Sequence, residues 1–362
     1  MYSSRCSQSQ SGAVLILVLI VLSGLAVLAV EFNRDALQDH MLSASSRSVL
    51  ASRPLFEAGE IAASSALCGP LSKEKFDDGK KAWEHLDEGL KLLSRELRGG
   101  ELSGTLEDEN SFFPLRSLFP QRKSDLARAE ACQRIFMQLL ARRLLDTGIA
   151  SDEMQAEELA EAFRDSLLQW SGLLAVDKVS EEWYLQQIPR RYPPGRPPFS
   201  AEELLLMHWP GLEPEKAHMV LAGTKEHPGL IGLFSIVSPG PMNIDTLRSE
   251  IIESLPPDRM LGKQLARQIV ELRRYPDRIE SRDWYRALFE SHEVPVFPAG
   301  CVEKGSRWYR LTQKVRQGGR ENIRISIGWI GSRGVMWEYR CSDWNRSSSG
   351  TMAEDIRSNE RN

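Results

Sequence analysis

The chain has 362 residues, and its 46 basic and 50 acidic side chains leave a formal charge of −4. This balance argues against a nucleic-acid-binding protein, because such proteins usually carry a strong basic excess. Apolar residues make up 41% of the chain, which is enough for a sizeable core. Five widely separated cysteines with no Cys-x-x-Cys pair exclude a zinc ribbon and a small disulfide scaffold.

The N-terminus joins a short polar segment to a long apolar one. Residues 1–12 are polar, and residues 13–30 carry no charged side chain. A helix over 13–30 rises about 27 Å, close to the hydrocarbon thickness of a bilayer. A secretory signal peptide has a shorter apolar run and a small-x-small cleavage site, of which residues 26–30 offer only a weak version. We therefore predict a retained membrane-spanning helix that continues to residue 67, with a kink or interruption at Pro54.

Beyond this helix, the chain alternates between helical and strand patterns. Residues 81–97 have helical spacing of apolar side chains, and Gly99-Gly100 ends that helix. Residues 101–109 indicate a strand that enters an acidic turn, Glu107-Asp108-Glu109. We expect this triplet to be a solvated turn, and half of a calcium site is the alternative.

Residues 124–294 are predicted to be mainly helical. Apolar stripes mark helices within 124–172, and a proline-rich extended loop follows at 189–198. Ser200 is expected to cap the next helix, with Glu203 as its capping-box partner. Residues 200–290 resemble a small all-helical module of the SAM or helix-hairpin-helix kind, with turns at 210–215, 243–246 and 256–258.

From residue 306 the apolar period changes to two, which indicates β-strands. Alternating apolar residues mark strands at 323–329 and 335–339, and the glycine-flanked segment 331–334 predicts the hairpin loop between them. Residues 308–311 predict a further strand. The serine-rich tail, 346–362, is predicted to be disordered.

Six segments, taken in order, carry a family resemblance. The first is the polar leader with Gly12 and the apolar run after it. The others are Phe56-Glu57-Ala58-Gly59, residues 99–109, residues 113–118, residues 199–214 and Asn243-Ile244-Asp245-Thr246. Together they resemble the general secretion pathway protein K family, the large minor pseudopilins of type II secretion systems. Pro114 and Arg116 replace two asparagines of the family pattern, so the chain resembles a divergent member.

The resemblance implies a processing site and an assembly helix. Cleavage after Gly12 by a prepilin peptidase would leave Ala13 as the first mature residue. Leu17 then stands at mature position five, where major subunits carry a glutamate that pairs with a neighbouring subunit's terminal amine. Leucine cannot form that pair, which implies a specialised subunit at the filament tip. The residues expected to pack against sibling helices are Val14, Leu15, Leu19, Leu22 and Leu25.

The implied architecture is α+β and pilin-like. It comprises a cleaved leader (1–12), an N-terminal helix (13–67, membrane-spanning over 13–30), an α/β pseudopilin domain (68–123 and 295–345) and a large inserted helical domain (124–294). The implied function is initiation of filament assembly for protein export across the outer membrane. The helix would lie in the bacterial inner membrane and the bulk of the chain in the periplasm.

The resemblance also implies partners. These are other minor pseudopilins, the inner-membrane secretion platform and the prepilin peptidase. An insertion of this size would clash with neighbours in the shaft of a narrow filament, which again favours the tip.

Other functions account for fewer features of the sequence. A minor pilin of a type IV pilus or competence system shares the N-terminal pattern and is the nearest alternative. A membrane-anchored helix-hairpin-helix DNA-binding protein is less favoured, because the turn at 256–260 lacks the required glycine and its prolines donate no amide. A plain membrane anchor that keeps residues 1–12 is a third possibility.

Catalytic motifs are missing from the sequence. It has no Gly-x-Ser-x-Gly elbow, no P-loop and no His-Glu-x-x-His motif, so we predict no enzymatic activity. We assign no metal ligands and no cofactor, and calcium is the one ion left open.

Four cysteines would face an oxidising periplasm, where disulfides persist. Cys301 and Cys341 flank the final strands and are the favoured pair. Cys68 with Cys132 is a weaker second pair, and buried free thiols are the alternative.

Overall fold

The computed structural model describes residues 8–68, 86, 89–93, 95–96, 100–120, 122–224, 228–275, 284–292, 300–317, 320–332 and 334–343. It confirms an α+β fold with a long N-terminal helix. In chain order the helices and strands are α1 (Gln8–Cys68), β1 (Glu101–Asp108), β2 (Phe113–Pro114), α2 (Leu126–Asp146), α3 (Glu153–Trp170), α4 (Lys178–Gln186), α5 (Pro214–Ala222), β3 (Phe234–Ser235), β4 (Met242–Asn243), α6 (Ser249–Glu253), α7 (Arg259–Arg274), α8 (Trp284–Ser291), β5 (Val302–Glu303), β6 (Trp308–Gln317), β7 (Arg320–Gly331) and β8 (Gly334–Asp343).

The helix α1 has 61 residues and is therefore about 90 Å long. Its described side chains from residue 15 to 43 are all exposed. Full burial begins at Ser52, and from there the helix packs on the sheet. About half of α1 therefore projects beyond the folded part of the chain.

The helix continues through Pro54, so an interruption there is wrong, and a kink at this position stays a prediction. Proline removes one N–H, which would otherwise donate to the carbonyl of Leu50. Leu50 is exposed, so water can satisfy that carbonyl. Leu55 and Phe56 follow directly and are buried under the sheet, which holds the next turn in place.

Four antiparallel strands form the main sheet, in the order β1-β6-β7-β8. Glu101 lies opposite Arg316 at one end of the β1–β6 pair, and Asp108 lies opposite Tyr309 at the other. Because β1 precedes the inserted region and β6 follows it, the strands pair across the insertion as predicted. The β7–β8 hairpin closes between Gly331 and its partner Gly334, at the predicted loop.

The buried half of α1 runs alongside β7 in the same direction. Asn322 Nδ2 donates to Ser52 Oγ at 2.8 Å, and Trp337 Nε1 donates to Ser64 Oγ at 3.1 Å, where Trp337 lies opposite Gly328. The helix advances about 18 Å from residue 52 to 64, and the strand advances about 20 Å from residue 322 to 328. The helix and the strand therefore advance by similar distances between these contacts, so polar contacts between them can repeat along their length.

Two apolar clusters form the cores of the described chain. One lies between α1 and the main sheet and includes Phe56, Leu106 and Leu311. The other fills the inserted region and extends from Phe113 to Val302. This second core begins before residue 124 and ends after residue 294, so the packing unit of the insertion is wider than the predicted segment.

Some predicted elements of the insertion are present, and one differs in its helix type and capping. The two helices expected within 124–172 are α2 and α3. The capping box at Ser200 is wrong: residues 201–206 form a 3-10 helix, and the Ser200 side chain makes no capping hydrogen bond. Glu203 instead accepts the N–H of Phe199 at 3.1 Å and pairs with Arg196 at 3.2 Å. The tail 346–362 lies outside the described residues.

Candidate functional site

The apolar half of α1 is the first candidate surface. Gly12, Ala13 and Val14 lie near its start, in helical backbone. The five leucines singled out from the sequence, Leu15, Leu17, Leu19, Leu22 and Leu25, are between 57% and 68% exposed. An 18-residue window of this helix has a mean hydropathy of 2.8 and is unburied, so its length and composition suit a membrane span. A patch of this size requires lipid or other helices to cover it.

Glu60 fastens the other half of α1 to the sheet. Its side chain is nearly fully buried, and Arg340 of β8 donates to both carboxylate oxygens at 2.9 Å. Ser326 of β7 donates to the same carboxylate at 2.7 Å. The hydrogen bonds with Glu60 raise the pKa of Arg340, as expected for a charge-assisted pair.

The segment Phe56-Glu57-Ala58-Gly59 lies where α1 contacts Gln313 of β6. Gln313 of β6 is fully buried, and its Nε2 donates to the carbonyl of Phe56 at 2.9 Å. A Cβ atom at Gly59 would lie only 1.9 Å from that Nε2. Glycine at this position therefore allows the helix to accept a hydrogen bond from the sheet.

The turn after β1 is a second candidate site, which we call the Asp108 junction: Asp108, Glu109 and Asn110 with their partners. Asp108 is buried, and its carboxylate accepts hydrogen bonds from Asn243 Nδ2 at 2.7 Å, Asn110 N at 2.8 Å, and the hydroxyls of Thr246 and Ser306. Burial raises the pKa of Asp108 to about 6, although all four hydrogen bonds act to lower it.

Glu109 completes this junction with a buried ion pair. It is fully buried, and Arg310 of β6 donates to both of its carboxylate oxygens, at 2.7 and 3.0 Å. The Arg310 guanidinium also lies 4.2 Å from the centre of the Phe112 ring. The turn thus ties β1 to β6 and to the inserted region.

The expectation of a solvated acidic turn is wrong, since Asp108 and Glu109 are buried. The oxygens of Asp108 already accept four hydrogen bonds, and within the described ranges no group of three or more His, Cys, Asp or Glu side chains could hold a metal ion. Sequence reasoning missed this site because the partners Asn243 and Ser306 lie 135 and 198 positions from Asp108. The only signal of this site in the sequence is the turn Asn243-Ile244-Asp245-Thr246, and nothing in that turn indicates Asp108 as its partner.

The two candidate sites lie at opposite ends of the sheet. Asp108 of β1 lies opposite Tyr309 of β6, and Tyr309 lies opposite Gly328 of β7. Gly328 in turn lies opposite Trp337 of β8, whose indole donates to Ser64 near the end of α1. The exposed half of α1 leaves the sheet at the other end, beyond residue 322. The inserted region is therefore attached at the end of the sheet away from the apolar segment.

The structure does not bring the favoured cysteine pair together. Cys301 is buried next to Cys132, with 3.8 Å between the sulfur atoms, and Cys341 is exposed on β8. Cys68 is exposed at the end of α1. Cys301 belongs to the core of the insertion, whereas Cys341 belongs to the edge strand of the sheet, which is why their positions in the sequence were misleading.

Comparison with solved structures identifies a similar fold. A chain in the crystal structure of the GspK-GspI-GspJ complex, from the type 2 secretion system of enterotoxigenic Escherichia coli, superposes with a TM-score of 0.52. The match covers 84% of this chain and 99% of that chain, at 13% sequence identity. The fold is pseudopilin-like. No protein-family model matches the sequence, and no curated protein matches it.

A pseudopilin-like fold accounts for the arrangement of α1 and the sheet. The long helix packs one half on an antiparallel sheet and leaves the other half as an apolar rod. The inserted region enlarges the loop between β1 and β6. Because fold alone does not define activity, the function has to be argued from these surfaces.

Proposed function

We propose that the protein is a minor pseudopilin at the tip of a type II secretion pseudopilus, where it initiates filament assembly. The exposed apolar half of α1 carries this proposal. Before assembly it lies in the inner membrane with the bulk of the chain in the periplasm, and after extraction it packs against the corresponding helices of other minor pseudopilins. This role requires no enzymatic chemistry.

The tip position is supported by two features. Leu17 offers no carboxylate for a terminal amine of a subunit above it, and an unpaired charge in an apolar filament core would be costly. The inserted region sits at the far end of the sheet from the apolar helix, so it caps the molecule when α1 lies along a filament axis. Both features suit a subunit with neighbours on one side only.

The contacts of α1 supply the mechanical link. Pulling on the apolar half is transmitted to the sheet through Glu60 and Arg340, and from the sheet to the insertion through the Asp108 junction. In each link the carboxylate is buried and accepts charge-assisted hydrogen bonds, so these contacts resist separation better than fully exposed pairs.

Processing after Gly12 by a prepilin peptidase is the first test. We expect Gly12→Ala to block cleavage, so that the chain purified from membranes begins at Met1 and not at Ala13. Gly24→Ala is the matched control, because it makes the same change in the same helix and its added Cβ meets nothing within 4 Å. Normal processing of the Gly12→Ala protein, measured by N-terminal sequencing, would contradict the proposal.

The position in the filament is a second test. Ile188 is 97% exposed in the inserted region, so an epitope placed there should stay accessible. We expect antibody-bound gold particles at filament ends. Particles along the filament sides would exclude the tip position.

A deletion strain separates the type II system from the nearest alternative. Loss of protein export with intact pili and DNA uptake supports the secretion role. The opposite result supports a minor pilin of a type IV pilus or competence system.

A further inference from the structure

Two buried cysteines lie together although they are 169 positions apart. Cys132 lies in α2, near the start of the inserted region, and Cys301 lies directly before β5, where the chain returns to the sheet. Their sulfur atoms are 3.8 Å apart, and the two residues are 1% and 2% exposed. A disulfide needs about 2.05 Å between the sulfurs, so the two sulfur atoms would have to move about 1.8 Å closer together for the bond to form.

The surroundings distinguish the two thiols. The contact with Cys301 and burial raise the pKa of Cys132. The pKa of Cys301 is lowered, by the same contact and by the charges of Arg128 and Arg134. In the folded chain the negative charge is therefore favoured on Cys301 over Cys132.

We infer that Cys132 and Cys301 form a disulfide that closes the base of the inserted region. This inference rests on the proposed function, because that function places both residues in an oxidising compartment. The oxidant is a protein disulfide of a thiol–disulfide oxidoreductase. The thiolate of one cysteine attacks one of its sulfurs, and the thiolate of the other cysteine then attacks the sulfur of the first. The oxidoreductase leaves as a dithiol with two electrons and two protons from the cysteines.

The bond forms during folding, since both thiols are buried once α2 has packed. The disulfide would connect α2 to the Asp108 junction through β4. The Cys301 carbonyl accepts a hydrogen bond from Met242 N at 2.9 Å, and the next residue, Asn243, donates to the Asp108 carboxylate. The disulfide would thus keep the inserted region attached to the sheet when α1 is pulled from the membrane.

Mass spectrometry of the full-length chain, extracted from membranes and alkylated with N-ethylmaleimide under denaturing, non-reducing conditions, tests the bond. We expect the peptides containing Cys132 and Cys301 to be linked, and Cys68 and Cys341 to be alkylated. Alkylated Cys132 and Cys301 would overturn the inference.

A membrane-impermeant maleimide added to spheroplasts reports separately on location. Labelling of the exposed Cys341 places the domain on the periplasmic side. If Cys341 is labelled while Cys132 and Cys301 are free thiols, only the disulfide fails. If Cys341 is protected, the proposed location fails, whatever the state of the buried pair.

Thermal unfolding of the full-length chain in detergent gives a second measure. We expect Cys132→Ala and Cys301→Ala each to lower Tm by about 5–10 °C, because a bond closing so long a loop restricts the unfolded chain. The controls Cys68→Ala and Cys341→Ala should leave Tm unchanged. Wild-type protein unfolded in dithiothreitol should match the two buried-cysteine variants, and an equal Tm with and without dithiothreitol would reject the bond.

Discussion

Substitution of Gly59 by alanine tests how closely α1 approaches the sheet. The new methyl group would lie 1.9 Å from Gln313 Nε2, so the amide has to move and lose its hydrogen bond to the Phe56 carbonyl. A buried amide left without its partner costs about 1–3 kcal/mol, and overpacking costs about as much again. Alanine regains about 1 kcal/mol of helix propensity. We expect a net loss of about 1–5 kcal/mol in the free energy of unfolding.

The measurement is urea denaturation of the full-length chain in detergent, followed by tryptophan fluorescence. Gly89→Ala is the matched control, because Gly89 is also helical and its added Cβ would meet the Ala62 Cβ at 3.9 Å, an ordinary contact. We expect that control to be neutral or stabilising. In a Gln313→Ala background, Gly59→Ala should cost much less, because the clashing amide has been removed. A Gly59→Ala protein as stable as the Gly89→Ala control would refute the close-contact argument.

Two further predictions concern the Asp108 junction. Burial raises the pKa of Asp108 from 3.8 to about 6, so the folded chain binds the carboxyl proton of Asp108 more tightly than the unfolded chain does. Protonation of Asp108 therefore stabilises the folded chain by about 3 kcal/mol. This stabilisation is present below pH 4 and is lost as the pH rises through 6. Asp108→Asn should therefore flatten the dependence of unfolding free energy on pH between 4 and 7, and an unchanged slope would reject the assignment. Arg310→Met leaves Glu109 as a buried, unpaired charge and should cost about 3–5 kcal/mol in urea denaturation. The control Arg316→Met, in an exposed pair, should cost about 1 kcal/mol or less, and equal losses would contradict the burial argument.

Local patterns in the sequence predicted several of the regular elements. The uncharged stretch 13–30 predicts a helix with a large apolar surface, and α1 has that surface. Alternation at Val335, Trp337 and Tyr339 predicts the inward face of β8, and all three are more buried than the residues between them. These predictions succeed because helix and strand periods depend on residues a few positions apart.

The order of the motifs was sufficient for the topology. The family resemblance carried by these motifs implied that a strand from about 101 pairs with strands within 306–341 across the insertion, and β1 pairs with β6. Pro54 shows the limit of a local rule: a proline interrupts a helix only if the turns around it are not held by other contacts. The burial of Leu55 and Phe56 under the sheet keeps the helix continuous past Pro54.

The chemistry of the acidic turn and of the cysteines depends instead on distant residues. Asp108 is buried because Asn243 and Ser306 arrive from the two ends of the insertion, and Cys301 meets Cys132 because α2 packs against the returning chain. No local pattern encodes which polar groups share a buried site, since desolvation and hydrogen bonding act through space. The sequence alone was therefore enough to predict an apolar rod attached to an α+β domain. The positions of its buried charges and thiols followed from how the insertion packs on the end of the sheet.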